Sequence, residues 1–232
     1  MRTAKAYFVA GTDTGVGKTL VSAALVHGLA AEGLRVVGMK PVASGAQWQG
    51  NADGDWHNED VDALLAVNNV ALPAHSINPY LFQEPTAPHI AAIKEGQSIS
   101  LETIVDAFQN VSTQAECVIV EGVGGFLVPL NTDADTGDLA SLLALPVILV
   151  VGIRLGCINH ALLTLEAIKA RGLSVAGWVA NIIDPDILNL GHNINSLRAR
   201  ITAPLLGCIP FLSAQASAQL AAGHLDLTLL AN

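Results

Sequence analysis

The stretch "VAGTDTGVGKTL", Val9 to Leu20, decides the fold. A phosphate-cradling loop commonly reads G-x-x-x-x-G-K-[ST], with backbone N–H groups facing the phosphate oxygens. Here five residues, Thr12 to Val16, separate Gly11 from Gly17-Lys18-Thr19, one more than that pattern allows. The context is nevertheless the one the motif needs. "AKAYFVA" (4–10) reads as a buried strand, and Thr19–Ala31 as a helix that Gly33 ends. The loop and helix start would hold phosphates, Lys18 would reach the outer ones, and Thr19 would ligate Mg2+.

Strands and helices alternate beyond this point. "LRVVGMK" (34–40) reads as a second strand, and 41–60, rich in Gly, Asp and Asn, as a long loop. Helices are expected at Asp60–Val67 and His89–Glu95, and at Leu101–Asn110 behind an N-cap at Ser100. "NPY" and "EPTAPH" read as turns. "ECVIVEG", "PVILVVGI", "LSVAGWVAN" and "APLLGCIP" read as strands, separated by helices at "DLASLLAL", "INHALLTLEAIKARG" and Ile187–Ile201. Runs that are apolar throughout, divided by helices, predict an α/β fold of three layers. Its mostly parallel central sheet is covered by helices on both faces. No repeat, low-complexity segment or linker interrupts 1–232, which predicts a single domain.

Composition narrows the function. The net charge of −9 leaves no basic field for a nucleic acid backbone. No Lys or Arg stands between Lys40 and Lys94, or between Lys94 and Arg154, so a site needing fixed positive charge has few residues to draw on. The start, Met1 to Lys5, leads straight into the first strand and shows no signal peptide. The uncharged run from Leu139 to Ile153 holds Pro146 and is too short for a membrane span. A cytoplasmic chain without membrane or nucleic acid partners is expected. Cys117, Cys157 and Cys208 lack metal-ligand spacing and read as small core residues of a reducing compartment.

Other candidate residues fall at strand ends. Glu121 closes "CVIVE", where an acid would lie beside the nucleotide and serve Mg2+. Gly122, Val123 and Gly124 follow, a stretch whose backbone can approach a ligand closely. Lys40 ends the second strand and is the best second cation for phosphoryl transfer. In the acidic loop "NADGDWHNEDVD", Asp60 is better placed than Asp53 or Asp55 because it starts a helix. "RLGCINHA" (154–161) opens a helix whose free N–H groups could take a carboxylate or phosphate. Asn181, ending "WVAN", could read a purine edge with its donor and acceptor.

Taken together, these residues resemble the dethiobiotin synthetases, of the P-loop NTPase class. The resemblance spans nearly the whole chain. It is carried by "GTDTGVGKT" (11–19), "KPVASG" (40–45), "NPYLFQEPTAPH" (78–89), "VEGVGG" (120–125), "LPVILVVGIRLGCINHALLT" (145–164), "GWVAN" (177–181) and "PLLGCIP" (204–210). The family's loop carries the same extra residue. The resemblance implies that Gly15, Val16, Gly17, Lys18, Thr19 and Leu20 wrap the ATP phosphates. It implies that Thr19, Asp60 and Glu121 hold Mg2+, with Asp62 the alternative to Asp60. Lys40 and Lys18 are then catalytic, and Thr14 and Ser44 meet the diamine substrate. Asn181, Ile182, Pro210, Phe211 and Leu212 would line the adenine pocket. Cys157, Ile158 and Asn159 would hold the substrate carboxylate across a homodimer interface. The implied reaction joins 7,8-diaminononanoate and CO2 with ATP to give dethiobiotin, ADP and phosphate. Gly15 stands where some members carry an acid, and the segment after Leu212 matches weakly. Partition-type or septum-positioning ATPases share the P-loop class, but they carry an early loop lysine that Gly11-Thr12-Asp13 lacks. Cobyrinate-type amidating enzymes need a glutaminase domain for which 232 residues leave no room.

Overall fold

Seven residues, Lys5–Gly11, form β1, and every one after Lys5 is buried. A strand buried on both faces belongs in the middle of a covered parallel sheet. In the computed structural model, which describes residues 4–50, 54–213 and 216–230, β1 is central. The other elements follow in chain order: α1 Lys18–Ala31, β2 Val36–Met39, β3 Val42–Ser44, β4 Gln47–Gln49, β5 Asp55–His57, α2 Glu59–Val67, α3 Ala74–Ile77, β6 Tyr80–Phe82, α4 Pro88–Lys94 and α5 Leu101–Ser112. Then come β7 Cys117–Glu121, α6 Thr136–Leu143, β8 Val147–Ile153, α7 Cys157–Ala170, β9 Val175–Ile182, α8 Leu190–Arg198, β10 Leu205–Ile209 and α9 Ala218–Ala222. A 3-10 turn at Leu227–Leu230 closes the described chain.

The main sheet runs β10-β9-β8-β1-β7-β2, and all its pairings are parallel. Side chains alternate across it, as the strand period of two requires. From β1, Ala6, Phe8 and Ala10 enter one core with residues of α5, α6, α7 and α8. Tyr7 and Val9 enter the other, against α1, α9 and the last turn. Both faces are thus covered, which is the three-layer arrangement the apolar runs predict. From β1 the chain crosses to β2 on one side, and from β7 to β8 on the other. The carboxyl ends of β1 and β7 therefore open onto a switch point, where ligands of α/β sheets bind.

The segment 41–60 is more structured than its composition suggests. β3 pairs with β6 in a small parallel sheet, and β4 pairs with β5 in an antiparallel hairpin. Three-residue strands carry too little periodicity to read from sequence. What fixes β3 and β6 is Asn78, whose buried amide donates to the carbonyls of Lys40 (2.6 Å) and Tyr80 (3.1 Å). α6 begins earlier than expected, because Asp135 caps it in a box with Asp138. α8 starts at Leu190 rather than Ile187. Asp184 forms a local turn by accepting from Asp186 N, and Asn189 adopts a left-handed backbone.

Candidate active site

One residue of the lengthened phosphate loop goes into the core. Val16 is buried, packed over the paired strands β1 and β8 at Gly11 and Gly152. A Cβ at Gly152 would stand 2.8 Å from its side chain, so glycine at that point of β8 makes the room. The loop is also tied down from β9: the Asn181 amide donates to Val16 O at 2.8 Å. Gly17 then turns with φ 85°, and a Cβ there would meet Asn181 Nδ2 at 2.2 Å. The lengthened loop is therefore held from inside. Lys18 Nζ donates to Asp13 O at 3.2 Å, and Arg154 pairs with the Asp13 carboxylate at 2.6 Å.

At the carboxyl edge of the sheet four charged or polar side chains converge. Lys40, 2% exposed, lies 2.6 Å from Glu121 Oε1 and 2.8 Å from Asp60 Oδ2, and donates to Gly122 O at 3.2 Å. Thr19 Oγ1 stands 2.5 Å from Asp60 Oδ1 and 2.8 Å from Glu121 Oε1, and its single proton serves one carboxylate at a time. Burial opposes charge on both Lys40 and Asp60. The attraction between Lys40 and the carboxylates Glu121 and Asp60 outweighs it, raising the Lys40 pKa and lowering that of Asp60. Lys18 differs. Burial first, then repulsion from Lys40, bring its pKa down to about 8 against the pull of Glu121, Asp60 and Asp13.

This cluster fits a magnesium ion. Among the described residues no group of three or more His, Cys, Asp or Glu could hold a metal alone. Two carboxylates and a hydroxyl suffice for Mg2+, which usually completes its octahedron with water and substrate phosphates. Glu121 Oε2 is buried without a hydrogen-bond partner, an acceptor that a cation would satisfy.

The cluster forms the floor of a cleft of about 850 Å3. Thr14, Gly15, Gly17, Lys18, Thr19, Lys40, Ser44, Asp60, Glu121, Val123 and Gly124 all line it, as the sequence reading groups them. Val16, Leu20 and Gly122 do not: Val16 anchors the loop from the core side, Leu20 packs against the same core, and Gly122 O accepts from Lys40. Asp55 lies in the exposed hairpin and Asp62 faces His57 at 3.2 Å, leaving Asp60 as the carboxylate of that segment in the cluster. Asp53 lies outside the described residues. Ile182 ends β9, while Pro210, Leu212 and the half-exposed Phe211 follow β10, apart from this cleft. Cys157 turns its side chain into the core, so it offers only backbone, whereas Asn159 is exposed at the start of α7. The apolar wall of the cleft was not anticipated: Pro85, Thr86, Ala87 and Pro88 on one side, Leu127, Val128 and Pro129 on the other. The signal was present in "EPTAPH" and in the residues after "GVGG", but turn-forming prolines mark turns before they mark walls.

The family model described as "AAA domain" matches residues 5–219. An ATP-dependent dethiobiotin synthetase, BioD, of Aromatoleum aromaticum is 53% identical over 218 residues, covering 94% of this chain and 96% of its own. One from Janthinobacterium is 50% identical over 226 residues, covering 97% and 95%. The chain belongs to the dethiobiotin synthetase family. Among solved structures, the septum site-determining protein MinD of Pyrococcus horikoshii, in complex with Mg-ADP, superimposes with a TM-score of 0.56 at 17% identity. That match covers 95% of this chain and 86% of MinD. MinD of Aquifex aeolicus superimposes with 0.54 at 17% identity, covering 94% and 87%. At that identity the likeness shows the fold alone.

Proposed function

We propose that this chain is an ATP-dependent dethiobiotin synthetase, acting as one domain on 7,8-diaminononanoate and CO2. The observation that carries this reading is the Thr19–Asp60–Glu121–Lys40 cluster beside a P-loop, beneath a cleft with an apolar wall. In the proposed reaction one substrate amine captures CO2 as a carbamate and releases a proton. A carbamate oxygen attacks the γ-phosphorus of ATP, ADP leaves, and a carbamic–phosphoric anhydride forms. The second amine attacks the carbonyl, expels phosphate and closes the ureido ring.

The protein supplies position and charge. The loop from Gly15 to Leu20 cradles the phosphates. Lys18 leaves Asp13 O to meet them, and its lowered pKa rises again beside that negative charge. Lys40 is already held charged, and it offsets charge on the transferred phosphoryl group. Thr19, Asp60 and Glu121 would hold Mg2+, which neutralises phosphate charge when bound. Gly122, Val123 and Gly124 bring backbone close to the reacting groups. Thr14 and Ser44 meet the diamine, whose hydrocarbon chain runs along Leu127, Val128 and the Pro85–Pro88 wall. Asn181, Ile182 and Pro210 to Leu212 flank the adenine. Cys157, Ile158 and Asn159 offer the start of α7 to the substrate carboxylate of a second copy. No helix among the described residues is long and apolar enough to cross a membrane.

The test is ADP release from Mg-ATP and bicarbonate, with and without the diamine, with mass detection of dethiobiotin. ADP release should require the diamine and match dethiobiotin formed. Hydrolysis that ignores the diamine and yields no dethiobiotin refutes the assignment.

A further inference from the structure

We propose that Asn58 is a positioning residue that sets the spacing between the Ser44 end of β3 and the Asp60 carboxylate. The inference rests on the reading of Ser44 as a diamine contact and Asp60 as a magnesium ligand. Ser44 and Asp60 are joined in sequence by the β4–β5 hairpin, whose strands are almost wholly exposed. A hairpin with so little buried surface cannot fix the distance between its ends. Asn58 closes that gap directly. Its side chain is 9% exposed, and it caps α2: Oδ1 accepts from Asp60 N at 3.1 Å and Val61 N at 3.4 Å. Its Nδ2 donates the other way, to Ser44 O at 3.1 Å.

One rigid amide thus grips both segments, and each is anchored beyond the grip. Ser44 Oγ donates to Thr86 O at 2.9 Å on the cleft wall, and the Asp60 carboxylate meets Thr19 and Lys40 on its floor. The chemistry restricts the residue type. An aspartate accepts but cannot donate, and a serine caps but does not reach Ser44. Asparagine does both from one position.

That difference provides the test. Asn58→Ser keeps the cap and loses the link, while Asn58→Ala loses both. Hydrogen exchange reads the link without catalysis. Asn58→Ser should exchange faster over residues 42–46 only, and Asn58→Ala over 42–46 and 59–62. In steady-state assays Asn58→Ser should raise the diamine KM by about five- to ten-fold, the weight of one hydrogen bond, with kcat and the Mg2+ half-saturation within about two-fold of the parent. Asn58→Ala should raise the Mg2+ half-saturation as well. An Asn58→Ser protein identical to the parent over 42–46 and in diamine KM overturns the proposal. So does a chain-wide rise in exchange with kcat alone reduced. If the unaltered chain makes no dethiobiotin, the reaction assignment fails, and the exchange pattern still decides whether Asn58 holds the two segments.

Discussion

Replacing Lys40 with methionine should destabilise this protein through Glu121, not through lost packing. Methionine keeps most of the volume and removes the charge. Glu121 is fully buried, and its Oε2 already lacks a partner. Without Lys40, its Oε1 retains only the Thr19 hydroxyl at 2.8 Å. Asp60 is better placed, because 39% of its side chain is exposed and water can take the place of the ammonium. The cost therefore falls on one carboxylate. Removing one partner of a buried pair costs about 3–5 kcal/mol. At roughly 2–4 °C per kcal/mol for a chain of this size, the Tm should fall by roughly 6–20 °C. The assay is urea and thermal unfolding in metal-free buffer, with the midpoint moving at constant slope. Lys40→Met combined with Glu121→Gln removes both charges at nearly constant shape. It should recover most of the lost stability yet make no dethiobiotin. A single variant within about 1 kcal/mol of the parent, or a double variant no more stable than the single one, would refute this account of the buried pair.

Three further outcomes are expected. Asn181→Ala frees Val16 O and loosens the phosphate loop, so the ATP KM should rise about ten-fold with the diamine KM unchanged, as steady-state kinetics would record. Lys18, with its pKa near 8, is partly neutral in free protein at pH 8. Binding Mg-ADP there should take up a fraction of a proton, which calorimetry in buffers of different ionisation enthalpy would detect. Hydrogen bonds from Arg171, ahead of opposing burial, hold the Asp135 carboxyl below its usual value. Its stabilisation is present in full above about pH 4 and is lost as the pH falls through the depressed folded value. Asp135→Asn keeps the α6 cap and should cost about 1–2 kcal/mol at pH 7, with the gap to the parent closing in acid urea titrations.

Sequence alone determined the sheet and the loop, and it named many of the residues that line the cleft. β8 is apolar throughout, β1 after Lys5 and β7 up to Glu121, and strands buried on both faces announce themselves. Gly17-Lys18-Thr19 between a strand and a helix reads as a phosphate loop, and Lys40 and Glu121 stand at strand ends where chain direction places them at one edge. Only tertiary structure decided the rest. It put Asp60 rather than its alternative Asp62 against Lys40 and Thr19, because the choice depends on how an exposed hairpin folds back onto β3. It made Val16 an anchor and tied Asn181 to it, a contact between residues 165 positions apart that no local pattern encodes. The prolines became a cleft wall for the same reason: a turn residue's second role depends on what packs opposite. The asparagines show the division most plainly. In one dimension Asn78 reads as a turn residue, Asn181 as a purine reader at a strand end, and Asn58 as one polar residue of an acidic loop. In the fold each is buried, and a buried amide must spend its donors, here on the backbone of the segments that build the site.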